Sequence, residues 1–514
     1  MIWHKAFLLW AGVGLLASGA VAQAADWETA FNAGTEALMA DRYADAEKHL
    51  TSALREAETF AANDERRWAT LLNLGWLYQL QARHGEAEPL LRQAVGLLER
   101  LRGPDHEDLL APLDLLGEVY TAQGKYADAE ATLKRALALT EKQNSAQNLS
   151  LALERLGKLY SAQQRYGDAE PYMRRALDSR ERTGSGFAPD SVLVAESLEG
   201  LADVLLAQAK YAHAEPLLQR ALAIREKRER PESPAIARTL ERLATAHRGT
   251  GQPREAEALH ARASAILVEE GRAAISAGNY LKARTVLQPL ADQDHPLAQN
   301  ALGVLHLEGW GVPKDLAQAL AWFRKAANHG DAIGQYNLGR MYDNGWGVTK
   351  SYADAVTWYR KSAEQGYAPG QSILGAMYAT GDGVGRDYVE ALRWYRRAAD
   401  QGEAEAQRRI GLMYAEAQGV ARDYSQAEKW FRKAAEQNNA DAQYRLGRIY
   451  EQALGVPKND KEAFRWYQAA AWNLHVSAME AVAKAFEEGL LGVKRDRSAA
   501  AEWRKKAAEA RQGR

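Results

Sequence analysis

The side chains able to do chemistry are scattered along this chain rather than grouped. Among its 11 histidines, His106, His247 and His260 have no second ligand at metal-binding spacing, and no HExxH pair occurs. A histidine on a repeat helix reads first as a surface or packing residue. Glu86/Glu88 and Glu403/Glu405 are paired carboxylates in sequence, the residue type that general acid–base work needs. Two apart on a helix they point different ways, so solvated faces are the better reading. Gly381-Asp382-Gly383-Val384-Gly385 has the composition of a phosphate cradle but follows no strand. No GxSxG elbow occurs. Cysteine is absent, which excludes disulfides, thiolate metal sites and a cysteine nucleophile. No catalytic residue, metal or cofactor is expected.

What the spacing does predict is a repeated scaffold. From Ala298 to Ala508 a leucine-glycine, a tyrosine, a Gly-x-Gly-Val turn and a tryptophan recur. The first glycine falls at Gly303, Gly339, Gly375, Gly411 and Gly447, always 36 apart. Tryptophan keeps the same beat at Trp322, Trp358, Trp394, Trp430 and Trp466, with Trp503 one residue late. Leu338 and Tyr342, four apart, share one helix face, as do Ala355, Trp358, Tyr359 and Ala363. Each copy is therefore helix–turn–helix, and the period marks a solenoid. The Leu-Gly glycine is expected to let a neighbouring helix approach. In the turns, the first glycine becomes Ala417 and Ala453, whereas Gly311, Gly347, Gly383, Gly419, Gly455 and Gly492 persist. The second position is thus expected to take φ > 0 and end the helix. The phase of the tryptophans marks core packing between helix pairs. Trp76, Trp310 and Trp346 are out of phase and are weighed as anchors against mere turn shielding. The phrase resembles the Sel1-like repeats, which implies an α-solenoid that binds partners. Ala417, Ala453, Ser351 in place of the usual Asp, and a last copy without Leu-Gly depart from the pattern. Some Sel1-type proteins staple their helix pairs with cysteines; that subtype is excluded here.

From Asp26 to about Leu267 a looser repeat runs. Its marker glutamates are Glu47, Glu88, Glu130, Glu170, Glu215 and Glu257, 40 to 45 apart. First helices carry Leu74-Gly75, Leu116-Gly117 and Leu156-Gly157, becoming Leu201-Ala202 and Leu243-Ala244; the first copy lacks the pair. These copies, with links such as Gly103-Pro104-Asp105-His106, resemble the tetratricopeptide (TPR) repeats of kinesin light chains. The expected organisation is a signal peptide (1–24), a TPR array of about six repeats (25–267), an adaptor helix pair (268–294) and a Sel1-like array of about six (295–510). The fold class is all-α, a right-handed α-solenoid, with the arrays expected to stack continuously because no Gly/Ser or Pro-rich linker separates them.

The first 24 residues read as an export signal: Met1 to Lys5, an apolar core from Ala6 to Leu16, and Ala22-Gln23-Ala24 before the cut. An uncleaved anchor is the alternative. These features suggest a periplasmic or secreted bacterial protein, not cytosolic cargo transport. Residues 25–294 hold 34 basic and 41 acidic side chains, net −7; residues 295–514 hold 31 and 26, net +5. No dense basic stripe suggests nucleic acid, and no membrane insertion is expected once the signal is removed.

Solenoids present first-helix side chains along a wall. Positions two before and two after each repeat leucine give Trp76, Asp114, Glu118, Glu154, Glu199 and Asp203 in the TPR array. In the Sel1 array they give Tyr336, Arg340, Arg408, Tyr444 and Arg448. The first wall reads as acidic and suited to basic peptide; the second, rich in Arg and Tyr, suits an acidic partner or glycan. The side chains of a C-terminal carboxylate clamp are missing. The expected function is a non-enzymatic protein–protein scaffold of the bacterial envelope. The alternative is a glycan-binding component of a cell-wall or exopolysaccharide machine, with cell-envelope polysaccharide as its partner.

Overall fold

Helix pairs follow one another along the whole computed structural model, which describes residues 23–143, 146–182 and 186–512. The expected signal core lies outside the described residues. No strand occurs among the described residues, and none of their helices is long and apolar enough to cross a membrane. The chain divides into two compact units, one ending at Ile266 and one beginning at Leu267.

The first unit pairs Gln23–Met39 with Tyr43–Thr59, Glu65–Leu80 with His84–Arg102, Leu110–Ala122 with Tyr126–Gln143, Ala146–Ala162 with Tyr166–Glu181, and Val192–Ala207 with Tyr211–Arg228; Pro234–Gly249 packs on the last. Its core is mainly aliphatic, with buried rings such as Trp27, Trp68 and Trp76, and runs unbroken from Trp27 to Ala246. Glycine sets the closest approaches. A Cβ on Gly75, Gly117 or Gly157 would lie 2.8 Å or less from Leu91, Leu133 or Met173, sixteen residues on. Gly34 does the same job against Leu50 in the first copy, although Ala33 has replaced its leucine.

The boundary between the units falls inside one 24-residue helix, Pro253–Ser276. The expected adaptor pair is thus not two new helices: its first half continues the sixth TPR copy, and Tyr280–Asp292 supplies the second. A Cβ on Gly271 would lie 2.5 Å from Leu287, again sixteen residues on, so the adaptor packs with TPR spacing.

The second unit continues with Pro296–Glu308 and Leu316–Asn328, Ala332–Asn344 and Tyr352–Glu364, Ala368–Thr380 and Tyr388–Asp400, Ala404–Glu416 and Tyr424–Glu436, Ala440–Glu451 and Asp460–Trp472, and Val476–Glu488 and Arg497–Gln512. Here glycine faces an aromatic ring twenty residues on: Gly303 on Phe323, Gly339 on Tyr359, Gly375 on Tyr395, Gly411 on Phe431 and Gly447 on Tyr467, each within 3.0 Å of an added Cβ. Asp315, Asp387 and Asp423 cap the second helices, and Ser351 does so through its hydroxyl, which accepts from Asp354 N–H.

The turn glycines divide their work differently from the sequence expectation. The first position ends the helix: Gly309, Gly345 and Gly381 are left-handed C-caps, and Ala417 takes the same conformation at φ 60°. The second also has φ > 0, but in every copy except the last, where a Cβ on Gly492 would meet only Lys461 at 3.9 Å, its stricter demand is room. A Cβ on Gly383 would sit 2.3 Å from the Tyr352 carbonyl, and one on Gly347 2.5 Å from that of Leu316. The preceding repeat crosses there, so alanine survives at the cap but not at the crossing.

Candidate functional site

Polar groups buried between repeats decide which predicted wall residues are available. In the second unit, Gln299, Gln335, Gln371, Gln407 and Gln443 are all buried. Each donates through Nε2 to a carbonyl eight residues back, such as Ala363 O for Gln371 at 3.1 Å. Each Oε1 contacts a side chain thirty residues on: His329, Gln365, Gln401, Gln437 or Asn473. An uncharged ladder therefore ties each Sel1-type repeat to the next and leaves nearby cations free for other contacts.

Two arginines are free in that sense. Tyr336 on Ala332–Asn344 packs against Tyr359 at 5.7 Å and edge-on against Tyr367 at 5.4 Å. Arg340, one turn later, lies over the Tyr336 and Trp346 rings at 5.9 and 5.4 Å. The Tyr359 hydroxyl donates to Asp343 at 3.2 Å. Three repeats on, Tyr444 packs on Tyr467 at 5.6 Å and stacks on His475 at 4.5 Å, with Arg448 exposed beside it. The Tyr467 hydroxyl donates to Glu451 at 2.6 Å. Five of the six positions recur 108 residues on, as Tyr444, Arg448, Glu451, Tyr467 and His475 for Tyr336, Arg340, Asp343, Tyr359 and Tyr367, whereas Trp346 gives way to Leu454. Neither Arg340 nor Arg448 forms an ion pair among the described residues. The second group opens a pocket of about 210 Å³ whose lining includes Tyr444, Arg448, Tyr467, Lys484, Leu490 and Leu491. Burial and the adjacent carboxylates push the Tyr359 and Tyr467 hydroxyls well above the usual phenol range, so both stay protonated donors.

Arg408 differs. It is tied to Glu405 and, at 2.9 Å, to Asp441. Burial would raise the Asp441 carboxyl, but His475, Arg445 and Arg408 overcome that and hold it below the ordinary carboxylate range. Arg408 is thus part of the repeat-to-repeat joint, which corrects its placement on an open wall.

The acidic wall expected in the first unit is corrected in the same way. Trp76 is 2% exposed and Asp114 7%, so neither faces an open groove. Glu118 pairs with Arg155. Glu154 pairs with Arg180 at 2.6 Å and accepts from Ser197 at 2.7 Å. Glu199 takes Arg225 at 2.6 and 2.8 Å and also the Thr239 hydroxyl, and Asp203 takes Arg242 at 2.7 Å. The negative charge is spent inside the array. The sequence carried the signal: Arg180 and Arg225 stand 26 residues after Glu154 and Glu199, where Leu98 follows Leu72.

Other candidates also become structural. Glu86 and Glu88 are held by Arg83 and Lys125. Glu403 caps Ala404–Glu416, and Glu405 binds Arg408 and Arg409. The phased tryptophans pack on neighbouring cores, and Lys325, Lys361, Arg397, Lys433 and Lys506 cover five of their faces at 4.0 to 4.6 Å. Trp310 stacks on Tyr280 at 5.2 Å, which shields the turn. No group of three metal-ligating side chains occurs among the described residues.

Stacked helix pairs carrying side chains on ledges, without a reactive constellation, define an α-helical repeat scaffold. The Sel1 repeat matches at residues 296–331, 332–367, 368–403, 404–439, 440–471 and 476–511, and the tetratricopeptide repeat at 69–142, 148–227 and 193–269. The chain belongs to the Sel1 repeat proteins and carries TPR repeats ahead of its Sel1 array. It is similar to a Sel1 repeat protein from Oxalobacter formigenes (37% identity, 47% of this chain, 99% of that one, TM-score 0.46). It is also similar to a protective antigen of SLR fold present in uropathogenic Escherichia coli (28% identity, 73% of this chain, 79% of that one, TM-score 0.46). A third similar structure is a putative kinesin light chain from Podosopora anserina (24% identity, 40% of this chain, 97% of that one, TM-score 0.36). No curated protein matches. The repeat families matched are those of protein–protein interaction scaffolds, and no enzyme family is indicated.

Proposed function

We propose that this is an exported, non-enzymatic scaffold of the bacterial envelope whose Sel1 unit holds partner proteins. Its contact points are the two tyrosine–arginine ledges, Tyr336/Arg340 and Tyr444/Arg448. One observation carries the reading. A matching five-residue arrangement occurs twice, each time with an arginine that pairs with no carboxylate among the described residues, while Arg408 between them is locked. Arginine and tyrosine on a firm ledge are the residue types that anchor interfaces. The net +5 of residues 295–514 favours a partner with acidic groups.

The test is crosslinking in cells from a photoreactive residue at Tyr336 or Tyr444, followed by mass spectrometry. The expected result is a defined set of envelope proteins that disappears when Arg340 and Arg448 are both changed to Glu. An unchanged set in that double variant overturns the role of the ledges. Retention on peptidoglycan or acidic polysaccharide, lost in the same variant, would replace the protein partner with a glycan. Amino-terminal sequencing of the mature protein tests export: a start at Ala25 supports signal cleavage, and a start at Met1 supports the anchored alternative.

A further inference from the structure

A cleft in the second TPR copy is unlike its counterparts. It encloses about 560 Å³ between Glu65–Leu80 and His84–Arg102, with Arg67, Arg92 and Arg100 around Leu71, Gly96 and Leu97. Its composition is specific to this copy. Seven residues before the repeat leucine, the third, fifth and sixth copies place Leu109, Val194 and Ile236, all fully buried. The fourth has Leu149, and here the position is Arg67. Eight residues after the marker glutamate the third to sixth copies carry Ala138, Asp178, Ala223 and Ala265, and here Gly96.

Gly96 has no internal reason to be glycine. Gly75 is required because a Cβ would strike Leu91 at 2.8 Å. A Cβ on Gly96 would meet only the tip of Arg100, at 3.7 Å. Glycine mid-helix is disfavoured on its own, so its effect here is to keep the cleft open. The charge is equally unbalanced. Asp64 is taken by Arg66 at 2.7 Å, Glu65 by Arg102 at 2.9 Å, Glu88 by Lys125 at 2.6 Å, and Glu99 by Arg135. Arg67 and Arg100 have no ion pair among the described residues, and Arg92 reaches Glu88 only at 3.8 Å. Three guanidinium groups thus rim an apolar floor in a unit that is acidic overall.

We infer that this cleft is a second docking site, for a short amphipathic helix of a partner protein with carboxylates flanking an apolar stripe. The lining residues from Pro89 to Arg100 follow one face of their helix for about 16 Å, at 1.5 Å per residue, which matches three turns of an incoming helix. Its leucine-type side chains rest on Leu71, Gly96 and Leu97, and its carboxylates meet Arg67, Arg92 and Arg100. The site is separate from the Sel1 ledges and does not depend on them.

The test is fluorescence anisotropy of the full chain with a labelled 12-residue helical peptide of Glu, Ala and Leu, the leucines on one stripe. Controls replace Glu by Lys, or Leu by Ser; sodium phosphate is a competitor. Binding should weaken at least tenfold in the R67Q/R92Q/R100Q variant. G96Q should weaken it about fivefold while raising Tm, because it fills the cleft and improves the helix. Equal binding by both variants, or by the lysine peptide, overturns the inference. So does a Leu-to-Ser peptide that binds as well as the parent and is displaced by phosphate, which would make this a small-anion site.

Discussion

The two units solve one problem, sealing a helix pair against the next, with different chemistry. The TPR unit seals with mainly aliphatic side chains, setting leucine or methionine against its helix glycines, and, in its fourth and fifth copies, with buried Glu–Arg pairs: Glu154–Arg180 and Glu199–Arg225. The Sel1 unit seals with aromatic rings set against glycine and with a ladder of neutral glutamines. A buried ion pair consumes the charges that first-helix positions would otherwise present. A glutamine ladder consumes none. The difference teaches why equivalent positions are locked in one array and offer free arginines in the other.

The comparison breaks most directly at Arg225. Arg225→Met leaves Glu199 buried beside Thr239 without its guanidinium, and should cost about 3–5 kcal/mol in urea unfolding followed by circular dichroism. Adding Glu199→Leu should recover most of that loss, because a well-packed apolar pair is often as stable as the ion pair it replaces. If the single change is silent, the TPR unit is not held by its buried pairs.

Next is the repeat crossing. Gly383→Ala forces a Cβ to 2.3 Å from the Tyr352 carbonyl at φ 68°, and should cost about 2–4 kcal/mol. Ala417→Gly, at the cap one copy later, should change stability by no more than about 1 kcal/mol. Equal effects at the two sites would mean that φ alone, not the approach of the preceding repeat, selects glycine there. A smaller effect is expected from Gln371→Leu, which removes the bonds to Gln401 and to the Ala363 carbonyl while Gln401 keeps the Gly366 carbonyl and Ala363 keeps the Gly366 N–H: about 1 kcal/mol, and the same at pH 5 and pH 8, since amides do not titrate.

The fold was legible because it is periodic. A glycine every 36 residues and a glutamate every 40 to 45 place the helix pairs outside the adaptor and the last Sel1 copy, and a Leu-Gly pair announces a close approach. The adaptor was less legible: Gly271 and Leu287 keep the TPR spacing, but the surrounding phrase has drifted. The site was half legible. Tyr336, Arg340, Tyr444 and Arg448 stand out by type and position. Whether an acid of the TPR unit is free depends on an arginine 26 to 39 residues away. That is a pairing between repeats, and a template written for one repeat does not contain it. Gly96 was missed because glycine in a helix was read only as an aid to internal packing, not as room left for a visitor.

The subtlest test lies at Asp114, the third-copy counterpart of Glu154 and Glu199. Where those residues find Arg180 and Arg225, Asp114 finds Thr140, which bonds instead to Leu137. Its Oδ1 has no hydrogen-bond partner. Burial pushes its carboxyl up to about 6, against the pull of the Arg155 charge. A carboxyl whose folded pKa is raised binds its proton more tightly in the native state. It therefore removes stability as pH rises from the unfolded value near 4 through 6. Glu199 works in the opposite direction: burial would raise it, but Arg225 and Thr239 hold it low, so its contribution is lost on acidification. Asp114→Asn should therefore stabilise the protein by about 1–2 kcal/mol at pH 8 and have almost no effect at pH 4, read as a Tm difference that closes on acidification. A Tm difference that stays constant across that range would place the cost of Asp114 in packing rather than charge, and the third copy would then be sealed like its neighbours.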